Sequence, residues 1–255
     1  ISKKCQVIIF NKKCDIYHIF LINLHKIFYK KMSTCNECKI KSTAATFLNK
    51  NELENLSQNC AEVSFKNRSI ILQQGALSSN IIYLKTGLVK IHISVFEKEH
   101  IIKILKAPLF LGIPTTLKEK INQYSVTAIE QVTVCFIDIN LFKKFIIKNG
   151  EFAYEIIVDL CCSELDYFKV CVNRKQKNIT GRVADTLLFF ANKIYNSDNY
   201  TLPLSRLELG NLIDTSRENI CRILSQLNDD GIINSNGKKI KIINMKSLET
   251  ISIHG

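Results

Sequence analysis

Leu204-Ser-Arg-Leu-Glu-Leu-Gly-Asn-Leu-Ile-Asp-Thr-Ser-Arg-Glu-Asn-Ile-Cys-Arg-Ile-Leu-Ser-Gln-Leu-Asn-Asp-Asp-Gly-Ile-Ile233 reads as two short helices around a tight turn. Leu204, Leu207, Leu209 and Leu212 make an apolar face at mainly helical spacing, which predicts a first helix from about Ser205 to Leu212. Ile213-Asp214 interrupts it, and Asp is one of the few non-glycine residues that tolerate the left-handed conformation such an elbow demands. Thr215 and Glu218 have capping-box spacing and predict a second helix from Ser216. Ile220, Ile223, Leu224 and Leu227 recur at helical intervals as one buried stripe. Arg217, Glu218 and Arg222 lie off that stripe. Arginine and glutamate carry the hydrogen-bonding groups that match the edges of a G·C pair in the DNA major groove. Asp229-Asp230-Gly231 ends the helix, and the Asn236-Gly237 hairpin signal joins Ile232-Ile233-Asn234 to Lys238-Lys239-Ile240-Lys241-Ile242 as a two-stranded basic wing. The bland alternative is a helical hairpin with solvated charges.

Charge weighs against that alternative. The 255 residues hold 35 Lys and Arg against 23 Asp and Glu, an excess that implies an anionic partner without choosing nucleic acid over membrane. Residues 173–246 carry 12 Lys and Arg against 7 Asp and Glu. Cationic groups placed around such a unit neutralise phosphates and give an affinity that weakens with salt. Apolar residues make up 46% of the chain, enough for packed cores in one large domain or two smaller ones.

Thr180-Gly181-Arg182-Val183-Ala184-Asp185-Thr186-Leu187-Leu188, followed by the two-helix unit, resembles the Crp/Fnr family of bacterial transcription regulators. The resemblance covers roughly residues 33–252. By matching position it implies that Arg217, Glu218 and Arg222 read bases and that Arg206, Ser216 and Lys238 contact phosphates. It also implies a homodimer on a near-palindromic site of double-stranded DNA, with one recognition helix per half-site, and contact with RNA polymerase. The fold expected is α+β: a jelly-roll (double-stranded β-helix) sensor over 32–148, a dimerisation helix over 149–178 and a winged helix-turn-helix over 179–255.

Residues 1–31 mix Lys, Asn, Ile and Phe without caps or sustained period, and the first Met is Met32. They are expected to be a non-native or disordered leader. The most apolar part, Ile16 to Tyr29, is 14 residues long and includes His18, Asn23, His25 and Lys26. A spanning helix needs about 20 predominantly apolar residues, so no membrane partner is expected and the cytoplasm is the expected location.

Between residues 60 and 140, β-rich runs recur at close spacing: Ile70 to Leu72, Ile81 to Leu84, Leu88 to Ile93, His100 to Leu105 and Val132 to Ile137. Such spacing suggests a sandwich or barrel, and the resemblance sharpens it to the jelly roll shared with cyclic-nucleotide-binding proteins. Family members that bind those ligands carry a Gly-Glu pair and, further along, an Arg beside Ser or Thr, a bidentate clamp for phosphate. Here Ile113 follows Gly112, and Asn122-Gln123-Tyr124-Ser125 has no Arg. No cyclic nucleotide is therefore expected. Beyond Asn149-Gly150, Ala153, Ile156, Ile157, Leu160, Cys161, Leu165 and Phe168 form a helical stripe, which the resemblance reads as a dimer seam.

Ten cysteines in a chain expected in the cytoplasm suggest thiols, a redox site or metal ligands rather than a disulfide framework. Cys161, Cys171 and Cys221 fall on predicted helices and read as packing residues, whereas Cys60 and Cys162 carry no readable role. In oxygen-sensing relatives an iron–sulfur cluster is held by an N-terminal Cys-x2-Cys-x5-Cys and one distant Cys. By that resemblance Cys35, Cys38 and Cys135 are candidate metal ligands. The third position is Ala44, leaving one ligand short of the usual four; Cys60 could in principle substitute, but nothing in its spacing supports that. A structural role, a redox-active pair and a labile cluster all stand open for the Cys35-x-x-Cys38 pair.

No zinc-type His spacing, phosphate loop or nucleophile elbow occurs, so an enzyme is not expected. The leading expectation is a DNA-binding regulator controlled by a signal sensed in the β domain. The alternative is a ligand- or redox-sensing module with a degenerate DNA-binding domain.

Overall fold

The computed structural model describes residues 35–255 apart from Glu97, and the leader expected over residues 1–31 lies outside that range. Eight strands form two antiparallel sheets of four. The first runs β1 (Cys60–Phe65), β8 (Val132–Asp138), β3 (Asn80–Thr86), β6 (Leu109–Leu111); the second runs β2 (Ile70–Leu72), β7 (Ser125–Ala128), β4 (Leu88–Val95), β5 (Lys98–Lys106). Alternation decides what each strand buries. Val132 and Val134 turn inward with Leu84, Val89, Val126 and Ala128 to fill the space between the sheets. Gly87 makes the tight turn from β3 to β4 at φ +91°, where a Cβ would lie 2.6 Å from the Gln131 carbonyl oxygen. The expected jelly roll is present. The pattern did not show β1, β6 and β7: β7 is buried at all four positions, so it has no polar alternation, and β6 has only three residues.

Each sheet also has an outer face, and both are covered. Over the first lie α1 (Thr43–Thr46), α2 (Lys50–Gln58), α3 (Ile139–Lys148) and the start of α4 (Gly150–Gln176), joined through Leu53, Leu56, Phe142, Phe145 and Phe152. Asn49 begins α2 with a reciprocal capping box to Glu52. Over the second sheet pack the C-terminal elements: Leu88, Ile101, Ile104 and Ile129 share one core with Leu187, Phe190, Leu204 and Leu209.

The stripe read on α4 splits in two. Ile156 is buried in its own domain beside Phe152, whereas Ile157, Leu165 and Phe168 are more than half exposed. The packing role expected for Cys161 and Cys221 is corrected too: both thiols are exposed, and Cys171 is intermediate. After α4 come α5 (Ile179–Phe189), a π-helical turn, β9 (Asn199–Thr201), α6 (Arg206–Ile213), α7 (Arg217–Asp229), β10 (Ile233–Asn236), β11 (Lys239–Ile242) and α8 (Met245–His254). The wing has three strands, in the order β10-β11-β9. β9 was missed because it is three residues long and sits far upstream. No described helix is long and apolar enough to cross a membrane.

Candidate nucleic-acid interface and thiol pocket

Ser205 caps α6, accepting from the Glu208 N–H at 3.2 Å while its own N–H donates to Glu208 Oε2 at 2.8 Å. The helix stops at Asp214, left-handed at φ 59° and ψ 58°, the elbow expected there. The turn can be this tight because residue 210 has no side chain: a Cβ on Gly210 would meet the Thr215 carbonyl oxygen at 2.7 Å. The capping box expected at Thr215 and Glu218 is corrected. Thr215 is still in the turn, its N–H donating to the Gly210 carbonyl at 3.0 Å. Ser216 therefore caps α7, accepting from the Asn219 N–H at 3.2 Å.

Ile220, Ile223, Leu224 and Leu227 are buried on α7, and Arg217, Glu218 and Arg222 are all exposed on its other side. Neither arginine forms an ion pair among the described residues. The Glu218 carboxyl is held below its ordinary range by its own backbone N–H at the helix start and by Ser216. It is thus an ionised acceptor, suited to an amino donor. The three residues read as phosphate contacts have work inside the motif: Ser216 is the cap, Arg206 donates to the Gly237 carbonyl in the wing turn, and Lys238 donates to the Pro203 carbonyl at 3.4 Å. Lys239 and Lys241 are exposed on β11.

The motif is tied to the barrel by a charged cluster that its sequence did not announce. Lys90, buried on the outer face of β4, donates to Glu99 at 2.9 Å and to Glu208 at 2.8 Å. Burial raises the Glu208 carboxyl, but hydrogen bonds from Lys90 and Ser205 outweigh it and bring it down to about 2. His92 completes the cluster, with Nδ1 3.2 Å from Glu99 and Nε2 2.8 Å from the Thr127 hydroxyl. Burial holds its imidazole below the ordinary range, against the pull of Glu99. Arg174 from α4 donates to the Leu212 carbonyl at 2.9 Å, and Arg182 from α5 donates to the Ile213 carbonyl at 2.7 Å. The end of α6 is thereby fixed to both helices.

The positions that the resemblance compares with a cyclic-nucleotide clamp have these surroundings. Ile113 is 3% exposed, in the apolar cluster beneath the helices. The Asn122 amide donates to the Gln73 carbonyl at 3.1 Å, and the Ser125 hydroxyl accepts from the Gln74 N–H at 3.0 Å. Arg68, the one arginine between residues 35 and 173, is exposed.

The outer face of the first sheet carries a second constellation. Cross-strand register sets Cys135 between Glu62 and Tyr83, with Cys60 one diagonal step away beside Ile137. The N-terminal turn closes over them: the Cys35 N–H donates to Ser57 on α2 at 2.7 Å, and Lys41 donates to the Asn36 carbonyl at 2.8 Å. Cys35, Cys38, Cys60 and Cys135 then line one pocket with Ser57, Glu62 and Lys85. The resemblance singled out three of these four thiols; Cys60, which its spacing did not support, is brought near Cys135 by strand pairing across some 75 residues. Contact with the Cys60 thiol brings Cys35 down to about 6 against the opposing effect of burial, with help from Ser57, Lys85 and Lys41. Cys135 is lowered by the same neighbour, and Cys60, between the two, is pushed up.

Comparison with known proteins agrees with this architecture. Residues 62–149 match the family model for a cyclic nucleotide-binding domain, and residues 181–251 match that for a Crp-like helix-turn-helix domain. The chain is 26% identical over 197 residues to the cAMP-activated global transcriptional regulator CRP of Escherichia coli O157:H7, covering 74% of this chain and 93% of that protein. Its fold is similar to that of a Crp/Fnr-family protein from Eubacterium rectale, with TM-score 0.71 and 18% identity over 83% of this chain and 98% of that one. It is also similar to FixK2 from Bradyrhizobium japonicum, with TM-score 0.68 and 18% identity over 75% and 96% of the two chains.

Proposed function

Because this chain belongs to the Crp/Fnr family of DNA-binding transcription regulators, we propose that it reads a near-palindromic operator as a homodimer, through Arg217, Glu218 and Arg222, under a signal other than cyclic AMP. The observation that carries the reading is the two-sidedness of α7: four apolar residues buried, and the two arginines and the glutamate exposed. Arg222 and Arg217 suit the O6 and N7 acceptors of guanine, and Glu218 suits the amino group of cytosine. Lys239 and Lys241 on the wing supply phosphate neutralisation.

The homodimer is supported by the exposed half of α4, where Ile157, Leu165 and Phe168 stand in a row that this chain leaves uncovered. A second copy on that row would set two α7 helices for successive major grooves, about one helical turn apart. Against cyclic AMP stands the barrel interior. A bidentate phosphate clamp takes an arginine, and the only arginine in residues 35–173 is Arg68, on the surface.

The test is a salt-titrated gel shift on the DNA upstream of its own gene. Expected is binding well above that to random duplex, with Arg222→Ala losing preference at one guanine position. Equal affinity for specific and random duplex at every salt concentration would refute the base-reading assignment. Isothermal titration showing tight cyclic AMP binding would refute the signal assignment.

A further inference from the structure

We infer that the cavity between the outer face of the first sheet and its covering helices is a binding site for a small, uncharged, largely apolar molecule bearing one carbonyl oxygen, with Tyr83 as the donor to that oxygen. The inference deepens the proposed sensing role by naming a ligand class. Its test uses no DNA, so its failure and the failure of the base-reading assignment can be told apart.

The shape of the cavity is the first ground. Its volume is about 50 Å³, against the roughly 10–15 Å³ that one water requires, which leaves room for a body the size of one aromatic ring. Its walls are largely apolar, and the rings of Phe110, Phe142 and Phe152 hold one another edge-on at centroid distances of 5.7 and 5.5 Å. A preformed apolar pocket with few polar groups is the usual form of a small-molecule site.

An inventory of the polar groups gives the second ground. Four lining side chains carry nitrogen or oxygen, and three of them are already engaged. Ser42 accepts from the Ala45 N–H at 3.1 Å, Lys41 donates to the Asn36 carbonyl at 2.8 Å, and Lys85 is paired with Glu62. The fourth is Tyr83, which is 7% exposed and whose hydroxyl has no hydrogen-bond partner. Its ring is packed against Phe110 at 4.9 Å between centroids, which holds the hydroxyl in place. A buried hydroxyl left unpaired is costly, so the site lacks one acceptor and nothing else.

That single demand selects the occupant. A water needs two to four polar partners, and Tyr83 offers one. An anion finds both ammonium groups engaged and the Glu62 carboxylate beside Lys85. An apolar body with one carbonyl oxygen fills the space and meets the hydroxyl. Phe152 lies in the first turn of α4, so an occupant bears directly on the helix that carries the proposed dimer seam.

The experiment titrates the full chain with acetophenone, with ethylbenzene as the same shape lacking oxygen and benzoate as the charged control. Isothermal titration gives the affinities, and iodoacetamide labelling mapped by mass spectrometry gives the location. Acetophenone should bind saturably, about three- to tenfold more tightly than ethylbenzene, the worth of one net hydrogen bond. It should slow alkylation of the pocket thiols and leave the exposed Cys161 and Cys162 unchanged. Tyr83→Phe should abolish the preference for acetophenone while keeping the ethylbenzene affinity. The comparison of the two ligands on the unaltered chain decides the matter even where that variant does not fold. Absence of saturable acetophenone binding would overturn the assignment, as would equal affinity for ethylbenzene or tighter binding of benzoate. So would equal protection of Cys161, or an unchanged preference in Tyr83→Phe.

Discussion

The two outer faces of the barrel carry comparable numbers of reactive side chains and treat them oppositely. On the second sheet, Lys90 bridges Glu99 and Glu208 of the helix-turn-helix motif, and His92 lies 3.2 Å from Glu99, its Nδ1 without a hydrogen bond. On the first, four thiols and the Tyr83 hydroxyl surround a cavity, and the hydroxyl has no partner. A network that closes on itself couples two parts of one chain. The long helix α4 touches both: it starts against the thiol-bearing half through Phe152 and Ile156 and then runs along β5, where Lys103 donates to the Ser163 hydroxyl at 2.9 Å.

The largest effect that can break this contrast lies at Lys90. Lys90 is buried while Glu99 and Glu208 keep 27% and 29% of their side chains exposed, so removing the lysine costs less than about 3–5 kcal/mol, the cost at a fully buried pair. Lys90→Met should therefore lower the urea-unfolding free energy by about 2 kcal/mol, the worth of charge-assisted hydrogen bonds, and Glu208→Gln in the same chain should recover part of it. A change below about 0.5 kcal/mol, the size of an ordinary surface substitution, would mean that the docked face is not held by this pair.

Phe168→Glu comes next. Burying a Phe is worth about 1.5–3 kcal/mol, so placing a carboxylate there should weaken self-association by about tenfold or more in sedimentation equilibrium. Unfolding of the isolated protomer should not change. An unaltered association constant would remove α4 as the seam.

Arg222→Ala is expected to cost about 1–3 kcal/mol in operator binding, confined to one base-pair position, with no change in stability. A loss spread evenly over all sequences would reassign Arg222 to the phosphate backbone.

The smallest effect is on pH. His92 is held below its ordinary value of 6.5, so the folded state favours the neutral ring. Its stabilisation is complete above about 6.5 and is lost as pH falls through the lowered folded value. Glu208, at about 2 when folded and near 4.5 otherwise, contributes above 4.5 and fades only towards 2. Stability measured between pH 7 and 5 should thus decline through His92, and His92→Gln should flatten that slope while leaving the more acidic one. An identical slope in His92→Gln would show that other groups carry it.

The helix-turn-helix motif was legible because its information is local. The α6 and α7 stripes, the Asp214 elbow and the Asn236-Gly237 wing turn each depend on residues within four or five positions. One local error, placing the cap at Thr215 instead of Ser216, arose where two adjacent hydroxyl residues both qualify. Which of them caps depends on the Thr215 N–H being held by Gly210. In the barrel, strands with clear alternation or length were legible. Those of three or four residues, such as β6 and β7, were not. The two constellations outside the motif were least legible. Cys60 meets Cys135 through the pairing of β1 with β8, and Lys90 meets Glu208 across 118 residues.

What the sequence by itself determined, then, is the recognition unit and a β-rich sandwich or barrel before it, which the family resemblance narrowed to a jelly roll, since periodicity, caps and turn residues act over a few bonds and need no knowledge of distant neighbours. What only the tertiary structure decided is which distant groups become partners: four thiols around one cavity, and one lysine between two carboxylates. Sheet register and domain docking set those distances, and neither is encoded in any short stretch, because each is fixed by the simultaneous burial of many side chains.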